Sequence, residues 1–399
     1  MNIVILSVYP FPNGFAATNR LISYSKGLIE LGNNVTNIIV RPTEKYGSAN
    51  SSIRGNYQGI NYLYSNTTPY WSKYFPLKLL QLIKGFINSL VVLSNLNRNK
   101  KIDIIIVNID IFIYDLVYSL FSKFILKRRV VFISDEYPYA LRKNRFPYKY
   151  IPMLFKVVEK FAYRTFDGII VMTKSLQEYF KRITENNIPI ELVLMTVEVE
   201  RFEITNIKRN NEKYLAYIGD LTLEKDGLDI MIKSFGIVNK YYPEYRLKIA
   251  GSTKNVEDVQ VLKKLVKELD LEEYVDFIGK LNRDSVPEFL NNAEILLLSR
   301  PYSDRAQGGF PTKLGEYLAT GLPIVVTAVG EIPDYLSDGV NAYLAVPGSI
   351  ESFSNKLLFA LNNPEHSKQI GLAGKEVAKQ VFNYKVQSKI MADFLTNLL

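Results

Sequence analysis

Short runs of aliphatic and β-branched residues recur along this 399-residue chain, each followed by a loop and then a segment with helical apolar spacing. A run that is apolar throughout and too short for a helix marks a strand buried on both faces, as in parallel sheets covered by helices. NIVILSV (2–8), NVTNIIV (34–40), IDIIIVN (102–108), RVVFISD (129–135) and DGIIVMT (167–173) form a first series. Between the first two, residues 17–32 have apolar spacing near 3.6 and end in Gly32, suited to a helix C-terminus. The pattern restarts with KYLAYIGDL (213–221), YRLKIAG (245–251), YVDFIGK (274–280), EILLLSR (294–300) and LPIVVT (322–327), with helical segments such as GLDIMIKSFGIVNKYYP (227–243) between them. Two successive β/α series predict an α/β protein of two Rossmann-like domains. We place the first at 1–200, a polar linker at 201–212 and the second at 213–382. The closing segment, 383–399, reads as an amphipathic helix with Val386, Ile390, Phe394 and Leu398 at helical spacing.

Composition removes several chemistries. The chain has no cysteine, so disulfides, thiolate metal sites and a cysteine nucleophile are excluded. Its one histidine, His366, sits in NNPEHSK, which reads as a polar surface loop. The net charge of +9 is unevenly spread: residues 1–190 hold 25 Lys and Arg against 11 Asp and Glu, and the remainder holds 24 against 29. A basic first half points to a polyanionic partner, namely a membrane surface, nucleic acid or a phosphorylated substrate, or else to a solvated basic surface. The N-terminus lacks the pattern of a signal peptide, and no uncharged apolar run reaches the length of a membrane span, so a cytoplasmic protein is expected. The stretch 76–101, apolar and flanked by lysines, reads either as a patch at a bilayer surface or as a core helix; its Leu and Val are too widely spread for a clean interfacial face.

The stretch GGFPTKLGEYLATGLPIVVT (308–327) carries the most chemistry. Pro311 suits a first helical turn and Gly321 a helix end. Gly308 and Gly309 allow close backbone approach to a ligand. Free N–H groups at a helix start attract anions, and Lys313 adds a full charge there. Glu316, three residues on, shares its face and can accept paired hydrogen bonds from a sugar diol. Phosphate at the helix start and a diol one turn later is the layout of a nucleoside diphosphate. The alternative is a surface Lys313–Glu316 pair on an ordinary helix. A second loop, YIGDLTLEKDG (217–227), presents Glu224 and Lys225 at the carboxyl end of a strand, where ligands bind in open α/β sheets. A third, PFPNGFAATNR (10–20), carries Gly14 after the first strand. Neither a Walker loop nor the G-x-G-x-x-G dinucleotide pattern is present.

Taken together, G-x-L-x-x-E-K at 219–225, Phe277 to Gly279 at a strand end, and E-Y-L-A-x-G-x-P at 316–323 resemble the retaining glycosyltransferases of the GT-B fold, family 4-like and also called group 1, of the kind that assemble surface polysaccharides. The resemblance spans nearly the whole chain, is specific over 215–345 and is weaker over 40–165. It implies two domains facing across a cleft, with the C-terminal helix crossing back to the first domain. It also implies a nucleotide-sugar donor, UDP- or GDP-linked, bound as substrate with no cofactor and no metal. The donor diphosphate falls to Lys225 and the donor ribose to Glu316. Gly308, Gly309 and Phe310 would offer backbone N–H groups, Thr312 and Lys313 would flank them, and Gly14 and Gly219 would complete the site. Gly279 to Leu281 would bound the nucleobase. Two positions depart from the family pattern: Asp220 stands where many relatives have arginine, and Gly308 where many have a first glutamate. Lys313, Arg300 or Arg305 is expected to supply the missing charge.

The expected reaction moves a sugar to a hydroxyl of a glycan or a polyprenyl-linked oligosaccharide with retention, the departing phosphate taking the acceptor proton. Fixed cations and helix N–H groups stabilise such a leaving group. Asp135 and Glu136, in SDEYPYALRKNR (134–145), either orient the acceptor, act as a general base, or are structural. Arg142, Lys143 and Arg145 suit an anionic acceptor or lipid head groups. With them, the basic first domain is expected to touch the inner face of the plasma membrane. The competing readings are a sugar-nucleotide epimerase of similar fold, for which one histidine offers little acid/base chemistry, a non-catalytic scaffold or anionic-surface binder, and a nucleic-acid-binding protein. No nucleic-acid motif supports the last.

Overall fold

The structure is a computed structural model and describes residues 1–45, 50–138, 152–203, 212–253 and 255–399. It divides into two compact units, Met1–Thr196 with Tyr384–Leu399, and Val197–Asn383.

In the first unit the chain runs β1 (Asn2–Ser7), α1 (Ala16–Glu30), β2 (Asn34–Ile39), β3 (Arg54–Tyr57), β4 (Ile60–Tyr64), α2 (Phe75–Asn99), β5 (Ile104–Asn108), α3 (Phe112–Leu120), β6 (Arg129–Ser134), α4 (Pro152–Arg164), β7 (Gly168–Val171), α5 (Lys174–Thr184) and β8 (Ile190–Leu192). The sheet order is β3-β4-β2-β1-β5-β6-β7-β8, parallel except for β3 against β4. Successive strand residues serve opposite faces. Ile3, Ile5, Ile104 and Ile106 join α1 in one core, while Val4, Leu6, Ile105 and Val107 join a second with Leu93 of α2, Tyr118 of α3 and Phe180 of α5. Burying each such side chain contributes about 1.5–3 kcal/mol.

The β3–β4 hairpin is absent from the sequence reading. Its turn uses Gln58 at φ 52° and Gly59 at φ 85°, and its residues lack the long aliphatic run that marks a buried strand.

The C-terminal helix belongs to the first unit, as the resemblance implied. Tyr384–Asn397, numbered last below, lies against α1 at Gly27, where an added Cβ would meet the Ser388 Cβ at 2.4 Å. Its buried face takes in most of the expected one and extends it: Phe394 is buried, Ile390 and Leu398 pack partly buried against the same core, Gln387, Ser388, Met391 and Leu395 also turn inward, and Val386 is exposed. The Gln387 carboxamide oxygen accepts from the Leu194 N–H at 2.8 Å, a polar inward contact that apolar spacing does not reveal.

In the second unit the order is β9 (Tyr214–Asp220), α6 (Leu223–Asp226), α7 (Leu228–Asn239), β10 (Arg246–Ser252), α8 (Val256–Glu268), β11 (Val275–Gly279), α9 (Val286–Asn291), β12 (Ile295–Leu298), α10 (Asp304–Gly308), α11 (Thr312–Thr320), β13 (Ile324–Thr327), α12 (Ile332–Tyr335), β14 (Tyr343–Ala345), α13 (Ile350–Asn362) and α14 (Pro364–Val377); α15 is Tyr384–Asn397 of the first unit. All six strands are parallel, in the order β11-β10-β9-β12-β13-β14. The division falls at 196/197 because Val199 and Phe202, in a short 3-10 turn, are buried, so the second unit begins before the polar stretch. His366 lies on the exposed first turn of α14, not in a loop.

Helix α2 bears on the reading of residues 76–101. By length and composition it is apolar enough to cross a membrane, with a mean hydropathy of 1.5, because an 18-residue window tolerates its few charges. Only 17% of that window is buried.

Candidate functional site

The carboxyl ends of β9 and β12 and the start of α11 bring together most of the second-unit residues singled out above. The loop after β9 forms the one-turn helix α6. Asp220 holds the entry to it: its carboxylate accepts from the Thr222 N–H at 3.1 Å and from the Thr222 hydroxyl at 2.7 Å. The aspartate found in place of the family's arginine is therefore a turn-forming residue. The exit is held by Ser299 after β12, whose hydroxyl lies 2.6 Å from the Gly227 carbonyl and 3.0 Å from that of Asp226. Gly227 has φ 64°, and a Cβ there would sit 2.2 Å from the Ser299 carbonyl oxygen.

Held this way, α6 presents two side chains differently. Lys225 is about one-third exposed and reaches Asp220 only at 3.8 Å. Asp226 is 2% exposed and forms a close ion pair with Lys313 from the first turn of α11. The Tyr217 hydroxyl donates to Asp226 at 2.7 Å, and Lys313 donates to that hydroxyl at 2.9 Å. Burial opposes the Asp226 charge, but the Lys313 ammonium and the two hydrogen bonds outweigh it and hold the carboxyl below its ordinary range. Burial first, and the Asp226 charge second, push the Tyr217 phenol well above its usual value. Gly219 is required by this packing, since a Cβ there would lie 1.9 Å from the Lys313 Nζ. Arg300, buried after β12, donates to the Gly309 carbonyl at 3.4 Å, and its charge also acts on Asp226 and Lys313.

One turn along α11, Glu316 pairs with Arg201 at 3.6 Å. Arg201 donates to the Arg283 carbonyl at 2.6 Å, and Arg283 in turn pairs closely with the buried Glu198. Burial raises the Glu316 pKa, and the Arg201, Arg283 and Lys313 charges oppose that rise. Helix α11 is fastened to β9 by Tyr317, whose hydroxyl accepts from the Ile218 N–H at 2.9 Å.

The remaining sequence candidates are placed as follows. The backbone at Gly308 and Gly309 joins α10 to α11, with Thr312 as the first residue of α11. The Phe310 ring is buried against Tyr335 and Phe382, with centroids at 5.7 and 5.3 Å, so only its backbone is offered at the loop. Gly279 ends β11 in the left-handed region at φ 79°, with nothing within 4 Å of an added Cβ, and Leu281 follows it half-buried. In the first unit, Gly14 sits in a tight loop where a Cβ would meet the Thr18 hydroxyl oxygen at 2.0 Å. Asp135 forms a close ion pair with Arg20, itself buried and donating to the Tyr24 hydroxyl at 2.7 Å. The Glu136 charge lies near Tyr9, whose phenol is raised chiefly by burial. Arg142, Lys143 and Arg145 lie outside the described residues, as does the Arg305 side chain. No group of three or more His, Asp and Glu side chains placed to hold a metal occurs among the described residues.

The sequence reading missed Asp226, Tyr217, Arg201, Arg283 and Glu198. Asp226 had a signal, standing next to Lys225 and before a glycine. Arg201 had none, since it falls in the polar stretch read as linker.

Comparisons with known proteins bear on the fold and on the second unit. The family of glycosyl transferases group 1 matches residues 198–377, which contain the whole of the second-unit site. The amylovoran biosynthesis glycosyltransferase AmsK of Erwinia amylovora is 26% identical over 215 residues, 52% of this chain and 51% of that one. The chain spans about half the length of the curated relatives it first matches. Sucrose-phosphate synthase from Thermosynechococcus elongatus superimposes with a TM-score of 0.78 at 15% identity, covering 100% of this chain and 98% of that one. The Anabaena protein HepE, in complex with UDP, gives a TM-score of 0.71 at 16% identity, covering both chains fully. The chain thus has the GT-B fold along its length, and its second unit is similar to the glycosyl transferases group 1.

Proposed function

We propose that the chain transfers a sugar from a nucleotide-sugar donor to a hydroxyl of a glycan or polyprenyl-linked acceptor during surface-polysaccharide assembly. One observation carries the reading: a loosely paired lysine, Lys225, stands beside a buried Lys313–Asp226 pair, with Glu316 one helical turn further on. An incoming diphosphate displaces only the weak Asp220 contact of Lys225, because exposed pairs at that distance contribute little. An ammonium has three N–H donors, and the Asp226 and Tyr217 contacts use two of those on Lys313. The third is available to a phosphate oxygen. Arg300 adds charge behind the loop. Glu316 then accepts from the ribose diol, exchanging the Arg201 contact for the ligand. HepE is known in complex with UDP and with UDP-glucose, which makes UDP the first nucleotide to try here.

In this reading the cations stabilise the departing diphosphate electrostatically, without a metal, and the sugar is transferred with retention. Acceptor activation falls to the departing phosphate, while Asp135, paired with Arg20, orients the first-unit loop. Such a protein works in the cytoplasm, where nucleotide sugars are its substrates.

The test is calorimetry with UDP and GDP on the wild type, Lys225→Ala and Glu316→Ala. Saturable binding of one nucleotide, weakened in both variants, supports the donor site and names the base. No binding at millimolar concentration, or binding untouched by either change, removes it. Turnover that survives a chelator and yields the α-configured product from an α-linked donor supports the metal-free retaining course; loss with chelator or an inverted product refutes it.

A further inference from the structure

We infer that the outward face of α2 docks the first unit on an anionic bilayer surface. The helix carries apolar residues on its inward and its outward sides alike. Its inward residues are Gly85, Ser89 and Leu93. Gly85 sets the orientation, since a Cβ there would lie 2.5 Å from the Val40 carbonyl oxygen and 2.2 Å from the Asn66 Nδ2. Gly85 and Ser89 therefore turn inward with Leu93, Phe86, Leu90, Val92 and Leu96 pack partly buried on the core, and a separate set of aliphatic residues faces outward. Leu79, Leu80, Ile83, Ile87 and Val91 are each 49–58% exposed. At 100° per residue they occupy an arc of about 120° and run about 18 Å along the helix. A helix of a soluble protein puts such a stripe against its core; a contiguous exposed one marks an interaction surface.

Charge selects the occupant. Residues 45–102 contain eight Lys and Arg and no Asp or Glu. Lys84 borders the stripe, and Arg98, Lys100 and Lys101 follow at its end. An aliphatic stripe bordered by cations, with no carboxylate on the element, fits acyl chains beneath anionic head groups. A helix lying on the surface, rather than crossing the bilayer, follows from its attachments. Phe86 packs on Tyr114 and Tyr118 with ring centroids at 4.6 and 5.3 Å, and the Asn88 carboxamide donates to the Ser65 carbonyl at 3.0 Å. Crossing the bilayer would strip these from the sheet and leave polar backbone unsatisfied in hydrocarbon. The inference rests on the first unit alone and does not depend on the donor site.

Vesicle flotation tests it, using phosphatidylglycerol–phosphatidylcholine vesicles against pure phosphatidylcholine, with UDP calorimetry as a separate readout. Expected are co-flotation with the anionic vesicles, loss of more than about tenfold in partitioning for Ile83→Asp/Ile87→Asp, and about fivefold for Lys84→Glu, diminishing in high salt. Both variants change exposed side chains, so unchanged thermal melting and nucleotide binding are expected. Four results overturn the inference: no flotation with either vesicle; equal flotation with both that ignores the variants; retention through high salt and alkaline extraction, which means a span; or a concentration-dependent dimer that Ile83→Asp/Ile87→Asp dissolves without vesicle binding, which assigns the face to a second copy.

Discussion

Helix α11 holds two ion pairs one turn apart, and they are built to opposite ends. At its first turn, Lys313 and Asp226 are in close contact, the carboxylate is 2% exposed, and a tyrosine completes the pair. At its second, Glu316 and Arg201 stand 3.6 Å apart, about one-fifth exposed. The first pair holds its carboxyl below the ordinary range; in the second, burial prevails and the carboxyl is raised. A carboxylate fully satisfied by protein partners is a structural fixture. One whose partner is distant and whose charge is under strain is prepared to exchange that partner for a ligand. Sequence spacing makes Lys313 and Glu316 look like equal members of one site, and the structure separates them.

The largest effect should come from breaking the closed pair. Lys313→Met leaves Asp226 buried without its ion-pair partner, keeping only the Tyr217 hydrogen bond, and such a loss costs about 3–5 kcal/mol. Denaturant unfolding should show it, and Lys313→Met/Asp226→Asn should recover most of the stability. A single variant as stable as the wild type would mean the pair is not closed. The acid limb provides a second check. Asp226 titrates lower when folded, so it contributes stability above the ordinary carboxylate range, and that contribution is lost as pH falls through its lowered pKa. The double variant should flatten the limb.

The open pair should respond in ligand binding and little in folding. Removing a charged hydrogen-bonding group costs about 1.5–3 kcal/mol, so Glu316→Ala should weaken UDP binding about 10- to 100-fold. Pyrophosphate, which has no ribose, should bind the variant and the wild type alike; equal losses for both ligands would make Glu316 structural. Lys225→Ala should be smaller, about tenfold in affinity for UDP and pyrophosphate alike, with unfolding changed by less than about 0.5 kcal/mol.

These contrasts also mark what the sequence could reveal. The two sheets were legible because a buried parallel strand announces itself in four to six consecutive aliphatics such as ILLL at β12. Lys225 and Glu316 were legible because local turn and helix spacing place them. The closed state of Lys313 was not, because it depends on Asp226 and Tyr217, 87 and 96 residues away, meeting it across a glycine. Nor was the mounting of α2: with apolar residues on every side, only the close approach at Gly85 decides which face turns outward. The β3–β4 hairpin was missed for the opposite reason, having too few aliphatics to stand out.

Arg201 gives the subtlest prediction. It is the first-ranking charge that opposes the burial-driven rise of the Glu316 pKa. Glu316 accepts hydrogen bonds from a diol best as a carboxylate, so UDP affinity should rise with pH through the raised Glu316 pKa and level off above it. Arg201→Ala removes the opposing charge and should move that midpoint to higher pH, while Arg201→Lys should restore most of it. A merely structural role for Arg201 would lower affinity equally at every pH and leave the midpoint where it was. If Arg201 instead competes with the ribose for Glu316, affinity at high pH should be greater in Arg201→Ala than in the wild type, since the ligand no longer displaces a bound cation. The midpoint thus reports how Arg201 sets the charge of Glu316, and the plateau reports how far it withholds that charge from the ligand.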